Sequence, residues 1–404
     1  MKTVTILPSK SYAHRAMIAA ALSDDPCQII CSQRSQDMDA TEGCLHALLH
    51  GDGQLLCRES GSTLRFLLPL VAALGIPATF HLAGRLPQRP LSPLYEELVA
   101  HGAVLGQQGT SPLTVDGQLT PGEYHLPGDV SSQFISGLLF ALPLLPGESC
   151  LYIDGALQSA AYVEMTLEVI RRFGITVESF LDADGQRQGY RIPGNQVFRG
   201  PQQYVVEGDW SNAAFWLVAG AIGEDSIAVQ GLRKDSIQGD RAVTQVLAEM
   251  GYQIAWQGDT VVAARGAGPF CGQTIDARPI PDLIPALALA AAVTPGTTQI
   301  VHAERLRIKE SDRLMAIAQV LNGLGAQVTE RPDGLVITGK PALAGGGADG
   351  YGDHRIVMLA AVASLVSAEP VRLSGWQAVA KSYPTFFDLW EEQGLAGNLM
   401  REEG

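Results

Sequence analysis

Six stretches of the chain open on small or polar residues and continue as helices that are apolar on nearly every side. They are SKSYAHRAMIAAAL from Ser9, ESGSTLRFLLPLVAAL from Glu59 and DVSSQFISGLLFALPLL from Asp129, then DWSNAAFWLVAGAI from Asp209, PDLIPALALAAAV from Pro281 and DHRIVMLAAVASLV from Asp353. Four of the five intervals between successive starts are about 70–80 residues, so the pattern is a repeat. A helix without a polar face belongs in a core, and only its N-terminal end is left to carry chemistry.

Each apolar helix is followed by an amphipathic one, as in YVEMTLEVIRRFGITVESF, RAVTQVLAEMGYQIAW and DRLMAIAQVLNGLGAQVTE. Gly174, Gly251 and Gly325 stand where a helix C-terminus takes a left-handed residue before a strand. HALLHGDGQLL and LYEELVAHGAVL repeat the theme in the first third. The unit is a buried helix, a connection with strands, an exposed helix and a strand, which predicts an α/β protein. Six units in one chain predict two domains of three, since 404 residues exceed one ordinary core. The boundary is expected near YVVEGDWSN, residues 204–212, where ordinary strand residues make a hinge rather than a loose tether.

Charge narrows the function. A formal net charge of −14 and a pI near 5.0 exclude a nucleic-acid surface, which needs a basic footprint. Anionic small molecules remain accessible if the few cations are concentrated in one cleft. The six cysteines, Cys27, Cys31, Cys44, Cys57, Cys150 and Cys271, show no CxxC or metal-ligand spacing, so reduced thiols are expected. MKTVTILPSKS has no apolar stretch of signal-peptide length, and runs such as LIPALALAAAV are too short to span a membrane. A soluble cytoplasmic protein is expected.

The exposed N–H groups of the six buried helices are natural anion sites. Lys10, Ser11 and Arg15 open the first, Gly61, Ser62, Thr63 and Arg65 the second, and Ser131, Ser132 and Gln133 the third. Asp282 opens the fifth and Asp353-His354-Arg355 the sixth. Ser131, Asp282 and Asp353 equally suit a plain N-cap role. Arg15 and Arg65 do not fit that bland reading, because a guanidinium in an apolar helix needs partners. Lysine is scarce: Lys2, Lys10, Lys234, Lys309, Lys340 and Lys381 are all there are. RLRIKESDRL, residues 305–314, packs four cations and two carboxylates into ten positions. On a helix Lys309 and Arg313 would share a face with Glu310, as a substrate grip or as a surface salt-bridge cluster. Asp312 would hold an arginine or cap the helix. Among the eight histidines only His46 and His50 have HxxxH spacing and none has HxH spacing, and no GxSxG or P-loop occurs.

The ordered set SKSxxxR, SGSTLRF, QRP, SSQF, SxxY, IPD, RxKESDR and GDHR resembles the 5-enolpyruvylshikimate-3-phosphate synthase family, over nearly the whole chain. The resemblance implies a two-domain inside-out α/β barrel of six folding units, helices inside and sheets outside, that closes on its substrates. Residues 9–207 would form the shikimate 3-phosphate side; residues 1–8 with 208–404 would form the phosphoenolpyruvate side, with hinges near 8–9 and 205–210. The eight leading residues are expected to pair with the C-terminal half.

The implied reaction moves the enolpyruvyl group of phosphoenolpyruvate to the 5-hydroxyl of shikimate 3-phosphate, on the route to chorismate and aromatic amino acids, by a monomer without metal or organic cofactor. By resemblance, Lys10, Asp282 and Glu310 are catalytic. Shikimate 3-phosphate would be held by Lys10, Ser11, Arg15, Ser131, Ser132, Gln133, Ser159, Tyr162, Asp282 and Lys309. Phosphoenolpyruvate would be held by Lys10, Gly61, Arg89, Gln133, Arg313, Arg355 and Lys381. Asp282 would take the hydroxyl proton and Glu310 would exchange one with the enol carbon. This chain departs from family members in having Ala160-Ala161 where Lys-Pro often stands, and Arg305 where some have Asn.

The architecture is shared with the enolpyruvyl transferase that acts on UDP-N-acetylglucosamine. SKSxxxR and SSQF fit a small phosphorylated acid better, and that enzyme's reactive-loop cysteine has no counterpart among the six here. A catalytically inactive ligand-binding relative is the other alternative. Lys10, Asp282 and Glu310, whose loss would have favoured it, are all present.

Overall fold

The computed structural model describes residues 1–181, 188–395 and 397–402. The chain forms two compact units, Lys10–Val206 and Met1–Ser9 with Glu207 onward. Each has its own hydrophobic core.

One supersecondary pattern builds both. A strand leads into a buried helix and a second, parallel strand; an amphipathic helix follows, then an antiparallel hairpin. In Lys10–Val206 the hairpin strand Leu113–Gly117 lies between Ala78–Leu82 and Ala103–Leu105, with Gln54–Arg58 on the far edge. The strands Glu123–Pro127, Ser149–Asp154, Gln188–Ile192 and Glu178–Leu181 repeat that order, as do Thr274–Asp276, Thr297–Val301, Gly334–Thr338 and Gln327–Arg331 in the other unit. Gly346–Asp349, Val371–Ser374 and Leu399–Arg401 form an all-parallel sheet without the hairpin.

The two remaining repeats exchange their first strands. Lys2–Thr5 precedes the Lys10–Ala21 helix, yet pairs in parallel with Ile227–Gln230, Lys2 opposite Ile227. Gln203–Val205 precedes the Trp210–Ile222 helix, yet pairs with Gln28–Ile30. Each strand therefore completes a sheet in the unit it belongs to, not the one its chain neighbour enters.

The apolar stretches are helices in the cores. Every residue of Trp210–Ile222, Ile284–Val293 and His354–Ala363 is buried, and these three pack on one another. Burying one large aliphatic or aromatic side chain contributes about 1.5–3 kcal/mol, so these helices dominate the driving force. Gly61–Leu74 and Ser132–Ala141 pack closely in the other unit, and the reason is local. Pro69 has no N–H to return to the Arg65 carbonyl four residues back. Gly137 faces that spot, where a Cβ would come within 2.3 Å of the Arg65 oxygen. The amphipathic helices end as their glycines predict: Gly174, Gly251 and Gly325 have φ of +80°, +97° and +90°. Among the described residues no helix is long and apolar enough to cross a membrane.

Candidate functional site

The chemistry-bearing residues form one cluster in each unit. In Lys10–Val206 the buried helices present their N-termini with caps in place. Ser60 accepts from Thr63 N–H, and Ser131 from Gln133 N–H, so Ser131 does the capping its sequence allowed. Gln133 donates from Nε2 to Ser62 Oγ at 3.0 Å and accepts from Arg65 at 3.4 Å. Arg65 also donates to the Pro90 carbonyl at 3.0 Å, beside Arg89. Gly61 explains itself here: a Cβ would lie 2.6 Å from a terminal nitrogen of both Arg65 and Arg89. Two guanidinium groups thus meet a helix N-terminus across a residue that has no side chain to hold them apart.

Lys10 opens the first helix and pairs with Asp37 at 2.9 Å. Arg15 is almost wholly buried, and it is held by neutral acceptors: Thr166 Oγ1 at 2.7 Å, the carbonyls of Ser11 and Tyr162 at 2.8 Å each, and Ser136 Oγ at 3.3 Å. Burial pushes its pKa down to about 10, with Tyr162, Tyr12 and Tyr204 opposing. Its bonds tie the first helix to Ser132–Ala141 and Ala160–Arg172, the elements that carry Ser132, Gln133 and Tyr162. Ser159, buried ahead of that last helix, has φ +54°, a left-handed conformation uncommon outside glycine.

In the other unit Arg313 is the centre. It is 1% exposed and bonds to carboxylates from three places in the sequence. Nε donates to Asp353 Oδ2 at 2.8 Å, Nη1 to Asp282 Oδ1 at 2.7 Å, and Nη2 to Glu310 Oε2 at 2.8 Å. Asp353 also accepts from Ser311 Oγ and caps the last buried helix at Arg355 N–H. Burial acts to raise the Asp353 pKa, but Arg313 overcomes it and the net direction is down. Asp282 receives two further cations, Arg355 at 3.2 Å and Lys309 at 3.6 Å. Burial, aided by Arg313 and Arg305, lowers the Lys309 pKa to about 8 against the pull of Asp282 and Glu310. Lys381 donates to the Gly352 carbonyl at 2.7 Å, one residue before Asp353.

The structure corrects two local readings. Lys309 and Glu310 are not on a helix: Lys309 is extended, and the helix Arg313–Gly323 begins only after Asp312, its N-cap. Glu310 reaches Arg313 from the segment before the cap. Asp282 does not cap the fifth helix either: it sits in the 3-10 turn Pro281–Leu283 that leads into Ile284–Val293, with its carboxylate turned to the cations. Asp312 does both of its offered jobs, capping Met315 N–H and pairing with Arg307 at 2.9 Å.

Sequence reasoning missed Asp37 and Asp240. Asp240 is buried in the turn Gly239–Ala242, where it receives the Ser211 hydroxyl. Burial and the nearby Asp282 push its carboxyl up to about 7, with Arg355 and the Ser211 hydrogen bond opposing. Nothing around Asp240 in sequence marks it, since its partners lie on other elements.

These features define a class: an α/β protein of repeated units that gathers cations and carboxylates at the N-termini of buried helices to handle anionic substrates. A family model described as EPSP synthase (3-phosphoshikimate 1-carboxyvinyltransferase) matches residues 1–54 and 48–390. A 3-phosphoshikimate 1-carboxyvinyltransferase of Clostridium kluyveri is 41% identical, covering 98% of this chain and 95% of that protein. One from Clostridium acetobutylicum is 40% identical over 97% and 94%. Among solved structures, an EPSP synthase from Acinetobacter baumannii aligns with a TM-score of 0.76 and 26% identity, over 97% of this chain and 95% of that one. The enolpyruvyl transferase NikO from Streptomyces tendae shares the fold, with a TM-score of 0.73 at 17% identity over 98% and 95%. The chain belongs to the EPSP synthase family.

Proposed function

We propose that the protein transfers the enolpyruvyl group of phosphoenolpyruvate to the 5-hydroxyl of shikimate 3-phosphate, releasing phosphate. The observation that carries this reading is the pair of carboxylates, Asp282 and Glu310, held on the two arms of one buried guanidinium. The reaction needs proton transfer at two places, the attacking hydroxyl and the methylene carbon. Glu310 gives a proton to the methylene carbon as the hydroxyl oxygen attacks the neighbouring carbon, and Asp282 takes the hydroxyl proton. The tetrahedral adduct then loses phosphate, which leaves with the proton taken up by Asp282, while its methyl group returns a proton to Glu310. Two carboxyl groups in unlike surroundings divide such roles. Arg313, now bonded to Glu310, can exchange that partner for the carboxylate of phosphoenolpyruvate, which would release Glu310 as the substrate arrives.

Within the Lys10–Val206 unit, Lys10, Ser11, Arg15, Ser131, Ser132, Gln133, Ser159 and Tyr162 serve shikimate 3-phosphate, with Arg15 also holding the helices that carry the others. Lys10, Gly61, Arg89 and Gln133 serve phosphoenolpyruvate. In the other unit Arg313, Arg355 and Lys381 serve phosphoenolpyruvate, and Asp282 and Lys309 serve shikimate 3-phosphate. The direct test is phosphate release from phosphoenolpyruvate with shikimate 3-phosphate, and separately with UDP-N-acetylglucosamine. Release only with the second acceptor, or with neither, sinks the proposal.

Gly61→Ala sets a new methyl against the flexible ends of Arg65 and Arg89, so the fold yields at little cost while the guanidinium groups move. Misplacement of a binding group by about 1 Å can cost about a hundredfold. The KM for phosphoenolpyruvate is expected to rise at least about tenfold by that argument, with an unchanged melting temperature. An unaltered KM would remove Gly61 and Arg89 from the phosphoenolpyruvate site.

Lys309 carries its charge below about pH 8 and loses it above. A cation that grips an anion must be protonated, so kcat/KM for shikimate 3-phosphate should fall above that pH. Lys309→Arg keeps the charge and should shift this limb upward; an identical limb in the variant assigns it elsewhere.

A further inference from the structure

Lys10 and His14 are four residues apart on the Lys10–Ala21 helix and leave it on one face, one turn apart. Asp37 and Thr41 are likewise four apart on Gln36–Leu49. Two rungs join the helices: Lys10 Nζ to Asp37 Oδ2 at 2.9 Å, and His14 Nδ1 to Thr41 Oγ1 at 2.7 Å. The second rung continues. Thr41 Oγ1 lies 2.6 Å from Thr63 Oγ1, which donates to Ser60 Oγ at 2.7 Å. Ser60 is the N-cap of Gly61–Leu74, accepting Thr63 N–H at 3.3 Å. His14, Thr41, Thr63 and Ser60 are all buried.

Counting protons gives the chain a direction. Each hydroxyl has one hydrogen. Thr63 gives its hydrogen to Ser60, so its oxygen receives from Thr41, and Thr41 receives from His14 Nδ1–H. Nε2 is then the bare nitrogen, and it is buried with no hydrogen-bond partner. A second proton there would meet no acceptor, and burial, with Lys10 and Arg15 alongside, holds the His14 pKa well below 6.5. The imidazole stays neutral and the donor chain keeps one sense.

Apolar residues of the same shape would pack this core without the risk of unsatisfied polar groups. What the chain adds is a defined geometry between its ends. One end lies on the face that carries Lys10. The other fixes the cap immediately before Gly61, the residue pressed against Arg65 and Arg89. We infer that His14, Thr41 and Thr63 are positioning residues that lock Lys10 and the Gly61–Arg89 wall into one arrangement for phosphoenolpyruvate. The inference rests on the reaction proposed above.

Thr41→Val keeps the side-chain shape and removes both of its hydrogen bonds. Loss of about one hydrogen bond's worth of positioning should raise the KM for phosphoenolpyruvate about tenfold. The KM for shikimate 3-phosphate should rise clearly less, since only the Lys10 end of the chain serves that substrate while Ser131, Ser132, Ser159 and Tyr162 lie outside it. Thr41→Ser restores the hydroxyl and should recover the wild-type value. Thr63→Val breaks the chain one link later and should reproduce the shift, so the test survives misfolding of the first variant. Nitrogen-15 NMR of histidine-labelled wild-type protein should show His14 as the neutral Nδ1–H tautomer from pH 5.5 to 8. An Nε2–H tautomer, titration in that range, equal KM shifts for both substrates or failure of Thr41→Ser to recover would overturn the inference. A wild-type protein without turnover overturns the functional reading and this inference with it, whereas the wrong tautomer or equal KM shifts in an active protein overturn the inference alone.

Discussion

Asp282→Asn is expected to lower kcat by about two to four orders of magnitude, the usual effect of removing a positioned general base. The amide has the carboxylate's shape and can still accept from Arg313 Nη1, which now lies 2.7 Å from Oδ1. It cannot take the hydroxyl proton. Three cations, Arg313, Arg355 and Lys309, face Asp282, so neutralising it leaves them more available to anionic substrates. Binding of shikimate 3-phosphate, measured by calorimetry, should therefore hold or tighten while turnover collapses. A kcat near the wild-type value would show that Asp282 does not carry the proton, and weakened binding with intact turnover would make it a ligand group only.

Arg313→Met is expected to cost about 3–5 kcal/mol of stability, the range for removing one partner of a buried ion pair. Three carboxylates lose their common cation, and Asp353 is fully buried. Methionine fills much of the volume, so the loss is electrostatic rather than a cavity. The pH dependence identifies the cause. In the native protein the Asp353 pKa is lowered, so its contribution is present above the ordinary carboxylate range and lost as pH falls through the folded value. Without Arg313 burial raises that pKa, and protonation relieves the unpaired charge. The deficit of the variant, read from denaturant unfolding, should be largest near neutral pH and shrink towards pH 5. A deficit independent of pH would point to packing. Arg313→Lys keeps the charge but cannot serve three carboxylates with a planar fork, so an intermediate loss is expected.

Much of this protein was legible from sequence because the signals are local. The six apolar stretches are buried helices since a helix without a polar face has nowhere else to go. Gly174, Gly251 and Gly325 end helices because their positive φ suits glycine. Asp312 is legible as a helix cap, a residue of N-cap type directly before an apolar run, and it serves as one. A helix face shared by Lys309, Glu310 and Arg313 does not form, because Lys309 and Glu310 precede that cap.

The partners were not legible. Arg15 is satisfied by oxygens on helices more than 100 residues away, and no spacing rule reaches that far. His14 sits in an apolar helix where no sequence neighbour marks it, and its partner Thr41 comes from another helix. The exchange of Lys2–Thr5 and Gln203–Val205 between repeats is similarly a matter of pairing, as each strand alone is short and fits either sheet.

The sequence by itself determined which segments are helical and buried, where they end, and which few residues carry charge. Those properties follow from side chains within a few positions of each other. Only the tertiary structure decided that Arg313 should gather Asp282, Glu310 and Asp353, and that Gly61 should stand between two guanidinium groups. Burial makes such choices. Away from water a charge or hydroxyl must find a partner wherever the packed fold offers one, whatever its distance along the chain.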